Sequence, residues 1–196
     1  LLSTLGFEEE DAEGFRGEAD VECAEGSFSM DVLYRLEDGK QGAVKAYSLT
    51  SQVNTVKLVA GRLPESADEC VVDSNMFGED AVGTTLALSD ENDQDTLDSF
   101  QSESYRIVGL VQSPLYIQYE RGNTSLGTGR LSGFIYLMPE GFNLDVYTEV
   151  YVRFQQDNPL YGDAYQDYMD EKTPVWEELV SEAADRRFDE LVGQYP

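Results

Sequence analysis

Apolar and polar side chains alternate along residues 21–36, with one interruption at Glu25 and Gly26. A period of two is typical of a β-strand that buries one face. The next residues, Glu-Asp-Gly-Lys at 37–40, form a turn signal, and residues 43–49 are apolar enough to return as a second strand. The sequence therefore predicts a β-hairpin in this region.

Further short apolar runs follow, each bounded by glycine, proline or a polar loop. Their β-branched and aromatic side chains favour strands, and residues 105–111 give the strongest signal. The other predicted strands are residues 53–60, 69–72, 84–88, 134–137 and 146–154.

The two ends of the chain show helical patterns. A short acidic helix is predicted over residues 8–15, with Ser3 or Thr4 as its cap. Two further helices are predicted over residues 164–169 and 175–192, the second beginning after Pro174. The second has an apolar stripe expected in the core: Trp176, Leu179, Val180, Ala183, Ala184, Phe188 and Leu191. A strand-rich middle between helical ends predicts an α+β fold.

Charge and composition exclude several classes of function. The chain has 13 basic and 39 acidic side chains, a net charge of −26, which repels nucleic acid and attracts cationic ligands such as basic peptides. It contains no histidine, the commonest general base and metal ligand. The acidic segment 90–98 lacks the glycine and the final glutamate of an EF-hand and is interpreted as a solvated loop. We expect no catalytic residue, no cofactor and no metal.

The two cysteines, Cys23 and Cys70, each follow an acidic residue in strand-like sequence. Neighbouring carboxylates raise a thiol pKa, so neither cysteine is expected to be a nucleophile. A disulfide between them and two free thiols remain open alternatives, because pairing depends on geometry that sequence does not contain.

Residues 61–64 read Gly-Arg-Leu-Pro and predict a structural turn. Gly61 permits a close backbone approach, and Pro64 restricts Leu63 to extended geometry. In a chain with so few cations, Arg62 is expected to bind a carboxylate near residues 65–69 and to lock this turn.

The segment from Ser113 to Gly133 is a long loop containing Tyr116, Tyr119, Arg121 and Arg130 among four glycines. One interpretation is a hairpin loop whose glycines satisfy unusual backbone angles. The other is a binding surface, since clustered tyrosine and arginine on a long loop are typical of contact hot spots. These four residues are the candidates for contact with a partner or cargo.

Several motifs then occur in a characteristic order. The sequence reads Gly-Arg-Leu-Pro at 61–64, Glu-Cys-Val-Val-Asp at 69–73, Val-Gly-Thr-Thr-Leu at 82–86 and Tyr-Arg-Ile-Val-Gly-Leu-Val at 105–111. In this order they resemble the extracytoplasmic domain of FtsX/MacB-type ABC-transporter permeases. The Ser-Pro-Leu-Tyr and Ser-Leu-Gly-Thr-Gly pieces that follow are similar to large permeases of Gram-positive bacteria.

This resemblance implies a βαβ-type porter lobe with a smaller β-rich lobe inserted in it. The porter lobe is placed at residues 1–81 and 144–196, and the insert at 82–143. The resemblance also implies a location on the extracellular face of the plasma membrane, between membrane helices that flank the sequence. The chain begins at Leu1 without an initiator Met, and no apolar run approaches the roughly 20 residues that span a bilayer.

The predicted function is that of a non-catalytic permease domain that couples cargo or partner engagement to ATP hydrolysis on a cytoplasmic ATPase subunit. A peptide or lipid-linked molecule is the expected cargo, and a permease dimer is the assembly typical of the family. The alternative is a free-standing or wall-associated binding module for cationic peptides. Membrane spans in the full gene product would distinguish the two.

Overall fold

The computed structural model describes residues 1–159 and 162–194. The chain forms two compact units, which we call the discontinuous unit (Leu1–Gly26 and Val146–Pro196) and the inserted unit (Ser27–Asp145). Two sheets and a long C-terminal helix make the fold α+β, as the sequence predicts. The inserted unit contains more than half of the chain, whereas the insert was expected to be the smaller lobe.

The elements follow in the order β1 (Leu2–Phe7), α1 (Glu9–Arg16), β2 (Val21–Ser27), β3 (Ser29–Leu36), β4 (Gln41–Ser48), β5 (Lys57–Gly61), β6 (Glu69–Asp73), β7 (Thr85–Leu88), α2 (Gln94–Asp98), β8 (Ser104–Gln112), β9 (Leu131–Leu137), β10 (Tyr147–Phe154) and α3 (Asp163–Gly193).

The predicted lobe boundaries do not coincide with these units. The predicted boundary at residues 143/144 lies two residues from the observed one, but residues 27–81 belong to the inserted unit. The reason is strand pairing, since β4 pairs with β9 and β6 pairs with both β8 and β9. The assignment of porter and insert roles to parts of the chain stays a prediction.

The discontinuous unit is a three-stranded sheet in the order β1-β10-β2, covered by helices. Strand β1, helix α1 and strand β2 follow one another directly, which is the βαβ-type succession expected for the porter lobe. The core of this unit is formed by Phe7, Ala12, Phe15, Ala24, Val150, Trp176 and Ala183.

Two details of this unit differ from the sequence predictions at the chain start. Ser3 and Thr4, expected to cap a helix, lie inside β1. Glu8 occupies the N-cap of α1, and its N–H donates to the Asp11 carboxylate at 2.9 Å. β1 forms because it pairs with β10. The local sequence of Leu2–Phe7 contains no pattern that predicts a strand.

The C-terminal region is one helix rather than the two predicted. α3 runs through Pro174 without ending there. A proline inside a helix removes one backbone donor, but burial of Trp176 and Ala183 favours continuation of the helix beyond it. Only these two residues of the predicted stripe are buried, and Phe188 is exposed.

The inserted unit is a seven-stranded sheet in the order β5-β8-β6-β9-β4-β3-β7. β8 also pairs with β7, so the strands other than β5 form a closed ring. This closure is possible because β8 uses one edge twice. Its first residues pair with β7 and its last residues pair with β5.

The interior of the ring is the main core of the inserted unit. All six ring strands contribute fully or nearly fully buried side chains to it, including Tyr34, Val44, Val72, Ile107 and Ile135. The outer faces of β4, β6, β8 and β9 carry a second buried cluster. Its members are Tyr47, Val71, Val108, Val111, Phe134 and Tyr136. The outside of this closed ring, which we call the barrel, stays buried only where other segments pack on it.

Candidate functional site

The 113–133 loop joins β8 to β9 and includes the first three residues of β9. Its Tyr116 packs on the outer cluster of the inserted unit, together with Leu49 and Val56. The loop begins at Ser113, whose buried hydroxyl shares a hydrogen bond of 2.7 Å with the Tyr136 hydroxyl. The Ser113 carbonyl accepts from the Tyr116 N–H at 3.1 Å, which turns the chain back over the sheet. The first residues of the loop are therefore fixed to the barrel.

Tyr116 is the first anchor of this loop. Its ring stacks on Phe134, with 4.9 Å between ring centroids, and its hydroxyl lies 2.8 Å from the Tyr47 hydroxyl. Burial raises the pKa of Tyr116 above the ordinary tyrosine value. The sequence indicated that Tyr116 contacts a partner. In the structure, its ring and its hydroxyl both make contacts within the inserted unit.

Arg121 is the second anchor and forms a buried ion pair with Asp73 at the end of β6. Nε lies 2.5 Å from Oδ2 and Nη2 lies 3.1 Å from Oδ1, and both side chains are 1% exposed. Nη1 donates to the carbonyl oxygens of Gln118 and Tyr119, at 2.5 and 3.0 Å. The hydrogen bonds that Arg121 donates to Asp73 raise the pKa of Arg121, which stays charged. A buried cation with this many acceptors holds the loop in one conformation.

The guanidinium is also enclosed by aromatic rings. Its central carbon lies 5.3 Å from the centroid of the Tyr116 ring and 5.6 Å from that of Phe134. Cation–π contacts at this range strengthen when water is excluded. Arg121 was expected to contact a partner, and the structure corrects this expectation because its side chain is not accessible.

Next to the first anchor and between the two, the loop presents an apolar tip consisting of Leu115, Ile117 and Tyr119. Ile117 is 87% exposed and Tyr119 is 71% exposed. Tyr116 packs toward the sheet, whereas Leu115, Ile117 and Tyr119 are exposed to solvent. Large apolar side chains this exposed, on a segment held by buried contacts, mark a contact surface.

The second half of the loop folds into a small hairpin. Asn123 pairs with Arg130, and the Leu131 N–H donates to the Gly122 carbonyl at 3.0 Å. Arg130 is exposed, and within the described part of the chain its guanidinium takes part in no ion pair. Tyr119 and Arg130 line the same open cavity of about 300 Å³.

The four predicted contact residues therefore separate into two groups. Tyr119 and Arg130 are exposed beside one cavity, whereas Tyr116 and Arg121 hold the loop. The exposure of Ile117 and the role of Asp73 were not predicted from the sequence. The spacing of Leu115, Ile117 and Tyr119 was the available signal for the tip, but Asp73 lies 48 residues from Arg121 and gave none.

The turn at residues 61–64 is stabilised by an ion pair. Arg62 donates to both carboxylate oxygens of Glu69, at 2.7 and 2.5 Å, and lies 3.9 Å from Glu65. The hydrogen bonds from Arg62 lower the pKa of Glu69 to about 2. Gly61 has a φ of +74°, and a Cβ at this position would overlap the carbonyl oxygen of Val108 on β8. The chain therefore requires glycine there.

Both cysteines are buried free thiols in the structure, which is the second of the two alternatives left open. Cys23 lies in the discontinuous unit and Cys70 in the inserted unit. Burial raises the pKa of the Cys70 thiol far above its ordinary value, and the Glu69 charge adds to the effect. A thiol in this state is a poor nucleophile.

No group of three or more carboxylate or thiol side chains is arranged to hold a metal ion in residues 1–159 and 162–194. In the same ranges, none of the helices combines the length and the apolar character needed to cross a bilayer.

Comparisons with known proteins find similarity of fold. No protein-family model and no curated protein matches the chain. The extracellular domain of the noncanonic ABC-type transporter YknZ from Gram-positive bacteria matches with a TM-score of 0.51 and 14% identity, over 79% of this chain and 76% of that one. The chain therefore has the fold of that extracellular domain.

Two other solved structures match at lower scores. The periplasmic region of MacB from Actinobacillus actinomycetemcomitans has a TM-score of 0.49 and 12% identity, over 95% of this chain and 76% of that one. A domain assigned to a permease protein from Porphyromonas gingivalis has a TM-score of 0.43 and 17% identity, over 86% and 65% of the two chains.

Proposed function

We propose that this chain is the extracytoplasmic domain of an ABC-transporter permease and that the apolar tip of the 113–133 loop contacts cargo or an accessory protein. The fold shared with the YknZ extracellular domain supports the first part. Because fold alone does not determine function, the second part depends on the site itself. The observation that carries it is the pair of exposed side chains, Ile117 and Tyr119, between two buried anchors.

The geometry suits signal transmission better than catalysis. A tip held by the Arg121–Asp73 ion pair is attached directly to β6, a strand of the closed ring. A partner that binds or pulls on Ile117 would therefore act on the barrel through the buried Arg121–Asp73 ion pair. In the proposed permease, flanking membrane helices pass this signal to a cytoplasmic ATPase subunit, and two permease copies form the transporter.

The test replaces the tip in the full-length permease, purified with its ATPase and reconstituted in nanodiscs. Ile117→Ser with Tyr119→Ser is expected to lower ATP turnover at least about fivefold, the lower range of typical coupling between sites. The thermal midpoint of the isolated chain should not change, because both side chains are exposed. Val59→Ser with Leu63→Ser, two exposed apolar residues elsewhere in the inserted unit, is the matched control.

Two outcomes would contradict the proposal in different ways. If the tip variant and the control had equal ATP turnover, the tip would have no role in coupling to the ATPase. Recovery of the full gene product in the soluble fraction of cells, without an associated ATPase, would instead favour the alternative, a free-standing or wall-associated module for cationic peptides.

A further inference from the structure

An apolar cleft in the discontinuous unit lies between helix α3 and strands β1 and β10. Its volume is about 420 Å³, within the range of small-molecule sites. Val152 and Phe154 on β10 and Trp176 and Val180 on α3 line it. Leu2 of β1 also lines the cleft and is 73% exposed. If a hydrocarbon group entered this cleft, most of its surface would be removed from contact with water.

The charged groups that line the cleft differ in whether they have an ion-pair partner. Lys172 and Glu177 are its two charged lining side chains. The α-amino group of Leu1, which also lines the cleft, donates to the Val150 carbonyl at 2.8 Å, and burial lowers its pKa. The Lys172 ammonium lies 2.8 Å from the Asp20 carboxylate, so its charge is already compensated. Glu177 is exposed and forms no ion pair with any residue that the structure describes. Among the lining side chains, the charge without a partner is therefore negative.

The surroundings of the cleft have the same sign. The discontinuous unit contains 21 acidic and 5 basic side chains. Each of the basic side chains already forms an ion pair: Arg16, Arg153, Lys172, Arg186 and Arg187. The unit as a whole therefore attracts cations and repels anions.

We propose that the cleft binds a small cationic amphiphile, in which one hydrocarbon chain carries an amine or ammonium group. The hydrocarbon chain would lie against Trp176, Val152 and Leu2, and the cation would face Glu177. An anionic amphiphile is disfavoured by the charge of the unit, and a neutral one has no positive charge to offset that of Glu177. The cleft shares no residue with the 113–133 loop, and binding here is independent of the proposed transport function.

Trp176 is the only tryptophan of the chain, which makes the cleft directly observable. It stands 5.4 Å from Phe154 and 5.5 Å from Phe15, measured between ring centroids. The experiment titrates the 196-residue chain with decyltrimethylammonium, decyl maltoside and decyl sulfate, each below its micelle concentration. Trp176 emission and calorimetry give the affinities. Decyltrimethylammonium is expected to shift the emission and to bind more tightly than either other probe.

Two variants localise the binding. Glu177→Gln is expected to weaken decyltrimethylammonium binding about two- to fivefold, the effect of one exposed ion pair. Glu178→Gln is the matched control, since this neighbouring exposed acid of α3 does not line the cleft. Leu2→Ser is expected to weaken all three probes by at least about threefold through lost apolar contact. Leu2 is exposed, so this change should not unfold the chain.

Each opposite result would overturn the proposal. Equal affinity for the three decyl probes would remove the preference for cations. Equal effects of Glu177→Gln and Glu178→Gln would show attraction by net charge without a site. Unchanged Trp176 emission, or unchanged affinity in Leu2→Ser, would show that the probes do not enter the cleft.

Discussion

Each unit of this chain contains an arginine–carboxylate ion pair, and the two pairs differ in burial. In the inserted unit, Arg121 and Asp73 form a pair in which both side chains are 1% exposed. In the discontinuous unit, pairs such as Arg153 with Glu22 lie at the surface, where each partner is 48% exposed. The charges and the bond geometry are alike, and the difference is the amount of water around them.

Solvent decides what such a pair does. An exposed pair remains hydrated when it is broken, so its loss changes stability little. A buried pair that loses one partner leaves a charge without water or counterion, which is strongly unfavourable. We therefore assign the buried pair the role of fixing the 113–133 loop. The surface pairs mainly offset the acidic charge of their unit.

The largest expected effect comes from removing one charge of the buried pair. Asp73→Asn keeps the size of the side chain but leaves the Arg121 charge uncompensated. It is expected to lower the free energy of unfolding by about 3–5 kcal/mol. Urea unfolding followed by far-UV circular dichroism measures the change.

A double variant distinguishes two causes of this destabilisation, an unpaired buried charge and a general disruption of the loop. Asp73→Asn combined with Arg121→Met removes both charges and should be more stable than Asp73→Asn alone, because no buried charge remains unpaired. If the two effects simply added, the ion pair would not be the cause of the destabilisation.

The surface pair gives the matching small effect. Glu22→Gln makes the same chemical change in the discontinuous unit and is expected to cost no more than about 1 kcal/mol. Urea unfolding followed by Trp176 emission reports on this unit, and the cost should shrink further in high salt. A cost equal to that of Asp73→Asn would break the comparison, since burial would then not explain the difference.

The same contrast shows what sequence could predict. The hairpin of β3 and β4 follows from local alternation and a turn, and both strands occur as predicted. β1 has no such pattern, because it is stabilised by β10, which lies far away in sequence. Closure of the ring likewise depends on β8 pairing with both β6 and β7, and no periodicity of a single segment encodes this.

The candidate site was predictable to a similar extent. The composition of the 113–133 loop indicated a surface of contact residues, and Tyr119 and Arg130 are exposed there. Residue type did not reveal that Arg121 is buried, since arginine is common both at binding hot spots and in buried ion pairs. Only the fold brings Asp73 to it. The cleft of the discontinuous unit was not predicted, because it forms between elements from both ends of the chain.

The smallest expected effect concerns pH and compares two hydrogen-bonded carboxylates, one in each unit. Hydrogen bonds from Arg62 lower the pKa of Glu69 to about 2 in the inserted unit, while in the discontinuous unit a hydrogen bond from Tyr147 lowers the pKa of Glu9. A carboxylate whose pKa is lower in the folded state stabilises the fold above its unfolded pKa, about 4.3, and this contribution is lost as pH falls toward the folded value.

The thermal midpoint of the chain should therefore exceed that of an Arg62→Gln variant by a constant amount above about pH 5. The difference should decrease between about pH 4.5 and pH 2, as Glu69 takes up its proton. A Tyr147→Phe variant, which removes the hydrogen bond to Glu9, should give a smaller difference that also decreases on acidification, because its pair contains no cation. A difference for Arg62→Gln that persisted unchanged at pH 2 would show that Arg62 stabilises the turn through its backbone contact with Leu63, at 3.0 Å, rather than through Glu69.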